Sequence, residues 1–164
     1  MIKLILLDVD GTLTDGGIYR GNEGEELKKF NVKDGYAIVT AQKLGIEFGI
    51  ITGKKSRLVE VRAEELKIKY LYQGISRKTE ILEEIIEKTA LRRDEIAYMG
   101  DDLNDIRIMK CVGIKGAPSD AVSEILEIAD FVSGKKGGEG AVREFIEYII
   151  KREGNWDNFL KIVK

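Results

Sequence analysis

The sequence predicts an α/β protein built on a doubly wound, Rossmann-like parallel sheet. Short apolar runs of strand length recur at residues 2–7, 47–51, 69–71, 95–99, 112–114 and 131–132. Stretches with helical spacing of apolar residues alternate with them, which is the pattern of βαβ units and hence of parallel strands. The first four runs each lead to polar or charged residues. In open parallel sheets, ligands bind beyond the carboxyl ends of the strands.

The run at 2–7 is apolar except for Lys3, as suits a strand buried on both faces. It ends in Asp8-Val9-Asp10-Gly11-Thr12, with two carboxylates one residue apart at the lip of a buried strand. Like charges placed together there need compensation, most simply from a bound cation. Residues 16–31 read as a β-hairpin flap, with Ile18-Tyr19-Arg20 and residues 25–30 flanking the turn residues Gly21-Asn22-Glu23-Gly24. A helix is predicted over 34–44, with Ala37, Ile38, Ala41 and Leu44 on one face and Gly45 ending it. The strand at 47–51 ends in Thr52-Gly53. Ser56 is placed to cap a helix reaching Leu66. After the strand at 69–71, an amphipathic helix starts at Lys78 or Thr79 and turns Leu82, Ile85, Ile86 and Thr89 inward.

The strand at 95–99 ends in Gly100-Asp101-Asp102, and a short helix covers 103–110. Pro118-Ser119 predicts the opening of a helix that runs to about Ile128. A glycine-rich loop at 134–140 precedes a helix over 141–151 that uses Val142, Phe145, Ile146 and Ile149. Residues 1–152 therefore read as one core and 153–164 as a C-terminal tail. Trp156 and Phe159 in that tail are candidate lid or interface anchors, with a self-packed terminus as the plainer alternative.

Composition narrows the chemistry. In 164 residues, 27 Lys and Arg are interleaved with 29 Asp and Glu, for a net charge of −2. No nucleic-acid surface and no basic membrane patch is expected. Cys111 is the only cysteine, which rules out an intrachain disulfide and fits a reducing compartment. No apolar run reaches membrane-spanning length and the first strand follows Met1 directly, so a soluble cytoplasmic protein without a signal peptide is expected. Histidine is absent. That excludes Ser-His and Cys-His hydrolases and His-ligated zinc, and any metal must be held by oxygen, which favours Mg²⁺.

In a parallel sheet the strand ends share one edge, so Asp8 and Asp10, Thr52 and Gly53, Lys78, and Asp101, Asp102 and Asp105 could converge. Asp8-x-Asp10-Gly-Thr, Thr52-Gly53, Lys78 and Gly100-Asp101-Asp102-x-x-Asp105 resemble, in this order, the four motifs of the haloacid dehalogenase-like phosphatase superfamily. Phe30-Asn31-Val32-Lys33-Asp34-Gly35, Gln73-Gly74 and Gly137-Gly138-Glu139-Gly140-Ala141-Val142-Arg143-Glu144 are similar to stretches of the 3-deoxy-D-manno-octulosonate 8-phosphate phosphatases. The resemblance covers residue 2 to about residue 150.

The resemblance implies a set of roles. Asp8 is the nucleophile and forms an aspartyl-phosphate. Asp10 protonates the leaving alcohol and then deprotonates the incoming water. Mg²⁺ is held by Asp8, the Asp10 carbonyl and Asp101. Thr52, Gly53 and Lys78 hold the phosphoryl group, and Lys54 could meet a sugar carboxylate. Asp102 acts through water, while Asp105 orients Lys78 or the metal loop. No cap domain stands between the motifs. The resemblance implies a homotetramer in which flap hairpins associate and a neighbour helps to cover each open site.

Taken singly, several residues have plainer readings. Asp102 could be a helix cap, Lys54, Lys55 and Arg62 a solvated helix face, Asp15 and Asp34 turn-shaping residues, and 137–140 a turn or subunit contact. Lys54 stands where arginine is common, and Ala117-Pro118-Ser119-Asp120 stands where an Ala-Asp-Ala-His-like stretch is common. These departures leave another small phosphoester, such as a nonulosonate 9-phosphate, as the alternative substrate. A phospho-signalling domain and a non-catalytic oligomerisation module are alternatives of other classes. The intact order of all four motifs argues against both.

Overall fold

The computed structural model describes residues 1–163. Six strands form the main sheet: β1 (Leu4–Leu7), β4 (Glu47–Ile51), β5 (Tyr70–Tyr72), β6 (Ile96–Met99), β7 (Ile114–Ala117) and β8 (Phe131–Val132). Their order is β5-β4-β1-β6-β7-β8, and every pairing is parallel. Central β1 pairs Leu4–Leu7 with residues 47–50 on one side and Ile96–Met99 on the other. All four of its side chains are fully buried, as a strand covered on both faces demands.

The helices are α1 (Val32–Gln42), α2 (Arg57–Glu65), α3 (Lys78–Thr89), α4 (Ile106–Met109), α5 (Ser123–Ile128), α6 (Ala141–Arg152) and α7 (Trp156–Val163). Ile5 and Leu7 join a core with α1, α2, α6 and α7. Leu4 and Leu6 join a second core with α3, α4 and α5. The period-two alternation along one strand thus divides the molecule into its two helical layers. Among the described residues, no helix is long and apolar enough to cross a membrane.

The flap is a two-stranded antiparallel hairpin, β2 (Tyr19–Arg20) with β3 (Glu26–Leu27), in the register Tyr19↔Leu27. A bridge between Thr14 and Phe30 closes its base. Both strands are exposed.

Several local expectations are corrected. The helix expected from Pro118 begins at Ser123, because the residues before it serve a neighbouring loop. Ser119 N–H donates to the Lys135 carbonyl (2.8 Å), and Asp120 Oδ1 accepts from Gly137 N–H (3.0 Å). The strand expected at 112–114 lies at Ile114–Ala117. Gly116 hid it, because a bare backbone there is what lets the Phe145 ring lie on the sheet. Helix α1 starts earlier than expected, capped by Asn31, whose Oδ1 accepts from Lys33 N–H at 2.9 Å. Ser56 stands at the cap position of α2 but makes no capping bond. Residues 103–110 divide into a tight turn at Leu103–Asp105 and α4. The tail forms α7 against α1 and α6, with Phe159 only 1% exposed and stacked on Trp156 at 5.2 Å. Phe159 therefore anchors the chain's own core rather than a lid. Lys164 lies outside the described residues.

Candidate active site

At the end of β1, Asp8 N–H still donates to the Met99 carbonyl (3.0 Å), which holds the residue rigidly at the sheet edge. Residues Val9–Leu13 then make a wide helical turn, interrupted at Asp10 and Gly11. Gly11 has φ +91°, and a Cβ there would stand 2.1 Å from Asp101 Oδ2. Glycine is thus needed both for the backbone and for close approach of the carboxylate. Thr12 Oγ1 donates to Asp101 Oδ1 at 3.2 Å. The glycine-rich loop backs this turn: Gly138 N–H donates to the Thr12 carbonyl (3.2 Å), and a Cβ on Gly137 would lie 1.8 Å from the Gly11 carbonyl oxygen.

Lys78, the first residue of α3, reaches across the sheet edge. Its Nζ lies 2.7 Å from Asp8 Oδ1, 2.7 Å from Asp105 Oδ1 and 3.0 Å from the Tyr98 hydroxyl. The Tyr98 hydroxyl donates in turn to Asp105 Oδ1 at 2.6 Å. Asp105 Oδ2 accepts from the N–H groups of Asp101 (3.0 Å) and Asp102 (3.3 Å). Both oxygens of this fully buried carboxylate are therefore engaged. Asp105 fixes Lys78 and the Asp101-Asp102 backbone together. Asp102 caps the turn that follows, its Oδ1 accepting from Leu103 N–H at 2.7 Å.

One carboxylate oxygen from each of Asp8, Asp101 and Asp105 lies within 4.8 Å of the other two. Burial, partly offset by Lys78 and reinforced by Asp105, pushes Asp8 up to about 6. Burial and the carboxylates of Asp8 and Asp105 push Asp101 up to about 8. Burial disfavours the Lys78 ammonium, yet Asp8 and Asp105 outweigh it and hold its pKa above the usual lysine value. Burial drives the Tyr98 phenol well above its ordinary range, so it stays a neutral hydrogen-bond donor. With all three carboxyls ionised, one ammonium would leave a surplus of negative charge, and the raised values of Asp8 and Asp101 mark that crowding. With Asp105 fully engaged, Asp8 and Asp101 are the donors that remain. A hard, oxygen-only set beside the bare backbone of Gly11 suits a divalent cation.

A cleft of about 240 Å³ opens over this floor. It is lined by Asp8, Asp10, the Thr52-Gly53-Lys54 stretch, and Asp102 and Asn104. Thr52 is fixed by its backbone, with its N–H on the Tyr72 carbonyl (2.9 Å) and its carbonyl accepting from Ile75 N–H (3.1 Å). Lys54 is exposed at the rim.

The side chain of Asp10 stands apart from the acidic trio. Its Oδ1 lies 2.6 Å from Lys28 Nζ, a flap side chain that is only 6% exposed. Sequence reasoning missed Lys28, Tyr98 and Asn104, and placed Thr12 in the first motif without its bond to Asp101. Lys28 hides in the ordinary-looking Glu25-Glu26-Leu27-Lys28-Lys29. Tyr98 could have been found, since a hydroxyl in a fully buried strand must find a partner.

A family model described as haloacid dehalogenase-like hydrolase matches residues 71–146. The 3-deoxy-D-manno-octulosonate 8-phosphate phosphatase KdsC of Escherichia coli K12 is 47% identical over 156 residues, covering 95% of this chain and 83% of that protein. The crystal structure of 3-deoxy-D-manno-octulosonate 8-phosphate phosphatase from Yersinia pestis matches with a TM-score of 0.92 at 43% identity, covering 95% of this chain and 84% of that one. The Moraxella catarrhalis 3-deoxy-D-manno-octulosonate 8-phosphate phosphatase, solved with magnesium ion, phosphate ion and a KDO molecule, matches with a TM-score of 0.95 at 37% identity, covering 99% and 94% of the two chains. The chain belongs to the haloacid dehalogenase-like hydrolases, in the branch of the 3-deoxy-D-manno-octulosonate 8-phosphate phosphatases. It is a phosphatase, an enzyme that hydrolyses phosphoric monoesters.

Proposed function

We propose that this phosphatase hydrolyses a sugar phosphate, foremost 3-deoxy-D-manno-octulosonate 8-phosphate, with Mg²⁺ and through an aspartyl-phosphate on Asp8. The observation that carries this reading is the placement of Asp8 in the cleft, held at 2.7 Å by Lys78 and facing a second uncompensated carboxylate, Asp101. The identity to the E. coli enzyme supports the substrate. The magnesium, phosphate and KDO bound in the Moraxella enzyme support the metal and the sugar.

Asp8, the Asp10 carbonyl and Asp101 would hold the cation. Bound there, it supplies the positive charge that lets an anionic nucleophile approach an anionic ester. Asp8 then attacks phosphorus as the bond to the alcohol oxygen breaks, and Asp10 gives that oxygen a proton. In the second half, Asp10 takes a proton from water as the water oxygen attacks phosphorus, which releases Asp8 and phosphate. Lys78, the Thr52 hydroxyl and the Gly53 backbone hold the phosphoryl oxygens, where transition-state charge gathers. Lys54 at the rim meets the carboxylate of the sugar.

Residues 1–152 carry this catalytic unit. The exposed flap residues Ile18 and Leu27 (71% and 66%) support association of hairpins into a homotetramer with a shared cover over the cleft. The single cysteine supports a cytoplasmic setting. Steady-state turnover of a panel of sugar phosphates with Mg²⁺ tests the substrate. Highest kcat/KM on the octulosonate 8-phosphate supports it, and a preference for a nonulosonate 9-phosphate replaces it. Analytical ultracentrifugation tests the tetramer.

A further inference from the structure

We infer that Lys28 is the positioning residue for Asp10. It occupies one carboxylate oxygen so that the other is the one presented to the reacting alcohol and water. The inference rests on the acid-base role given to Asp10 above. Asp10 lies between two cavities. It lines the 240 Å³ cleft, and it also lines a smaller pocket of about 70 Å³ beneath the flap. Lys28 lines only the second. From that side its ammonium meets Asp10 Oδ1 at 2.6 Å.

A lysine side chain 6% exposed on an otherwise open hairpin is not an ordinary solvated charge. Lysine is so enclosed only when its charge is paired. The ammonium is itself located from behind: Glu26 Oε1 lies 3.8 Å from it, and Ser56 Oγ donates to Glu26 Oε2 at 3.5 Å. The series Asp10, Lys28, Glu26, Ser56 ties the turn after β1 to the segment after Thr52 by way of the flap. The hairpin thereby sets the angle of the Asp10 carboxylate. During the reaction Lys28 neither gains nor loses a proton. The proton passes between the other Asp10 oxygen and the alcohol, and later the water.

The test uses the full chain in Mg²⁺, with Lys28→Ala and Lys28→Arg. Rapid-quench single turnovers follow alcohol release from two esters, 4-nitrophenyl phosphate and 3-deoxy-D-manno-octulosonate 8-phosphate. The nitrophenolate leaves without a proton, whereas the sugar alkoxide needs one, and general acid catalysis contributes about 10²- to 10⁴-fold. Lys28→Ala should slow release of the sugar at least about tenfold more than release of nitrophenolate, with KM changed less than about twofold. Lys28→Arg should recover most of the loss. Equal losses on both esters, or a raised KM with kcat kept, would overturn the inference and make Lys28 a structural or substrate-binding residue. If the unsubstituted protein cleaves neither ester, the catalytic reading itself fails, and the inference with it.

Discussion

Lys78 Nζ and Asp105 Oδ1 lie 2.7 Å apart beneath the cleft, with side-chain exposures of 3% and 0%. This pair joins the start of α3 to the loop after β6. The same carboxylate holds the N–H groups of Asp101 and Asp102. Without Asp105, Lys78 keeps Asp8 as its counter-charge, but the Tyr98 hydroxyl and the N–H groups of Asp101 and Asp102 lose their acceptor, and a buried donor left unpaired costs about 1–3 kcal/mol. Asp105→Ala should therefore lower stability by roughly 3 kcal/mol in urea denaturation and abolish most turnover. A loss below about 1 kcal/mol would mean that these donors find other partners.

Gly137 and Gly24 make a controlled contrast. A Cβ on Gly137 meets the Gly11 carbonyl oxygen at 1.8 Å, a backbone atom that cannot swing away. Gly137→Ala should displace the turn that carries Asp10, cost about 1–3 kcal/mol and depress kcat. Gly24, at φ +91°, has open space around it. Gly24→Ala should cost only about 1 kcal/mol of backbone strain and spare kcat. Thermal melts and steady-state kinetics on both variants check this.

Asp34, in the first turn of α1 and outside the lining of the cleft, carries a pH signature of its own. Its Oδ1 accepts from Arg143 N–H at 2.8 Å, while its buried Oδ2 has no partner. Burial wins over the Arg143 N–H and the charges of Arg62 and Arg143, and raises the carboxyl from 3.8 to about 6. Between these values the folded state binds more protons than the unfolded state, so stability falls as pH rises through the window. About two pKa units correspond to roughly 3 kcal/mol. Asp34→Asn keeps the acceptor and removes the titration. It should flatten the stability profile between pH 4 and 6 and gain about 1 kcal/mol or more at neutral pH. Asp8 also titrates near 6, so the difference between the two proteins in urea titrations is the quantity to read.

The crowded carboxyls of Asp8 and Asp101 predict a stability that depends on metal, a bound cation replacing the proton that Asp101 holds at neutral pH. At neutral pH, Mg²⁺ should raise the melting temperature by mass action, about 2.7 kcal/mol at a hundred times its Kd, and a chelator should reverse the gain. Asp101→Asn removes one donor and should cut the response to Mg²⁺ sharply. An unchanged response in that variant would place the cation elsewhere.

Much of this architecture was legible because the governing signals are local. The unbroken apolar run of β1 followed by Asp8 and Asp10 marks a buried strand ending at a site, and helical periodicity from Lys78 marks α3. The parallel sheet that follows from their alternation brings Asp8, Lys78, Asp101 and Asp105 to one edge. What stayed hidden depends on partners distant in sequence. Gly116 disguised β7 because its meaning lies in the Phe145 ring. Ser119 and Asp120 look like a helix start but are used by Lys135 and Gly137. Phe159 looks like an exposed anchor until α1 and α6 are seen to cover it. Lys28 is one of several flap charges, and only the fold shows which one turns inward.

The most direct measurement is to trap the covalent intermediate. The protein is mixed with 3-deoxy-D-manno-octulosonate 8-phosphate and Mg²⁺, quenched in acid within one turnover, and its peptides are mapped by mass spectrometry, with Asp10→Asn in parallel on 4-nitrophenyl phosphate, whose leaving group needs no proton, to slow hydrolysis of the intermediate without blocking its formation. The expected result is a phosphoryl group on Asp8, accumulating in Asp10→Asn and absent from Asp8→Asn, which should not turn over. Sustained sugar release by Asp8→Asn, or turnover with no phosphoryl group on Asp8 at any quench time, would contradict a mechanism that runs through this carboxylate.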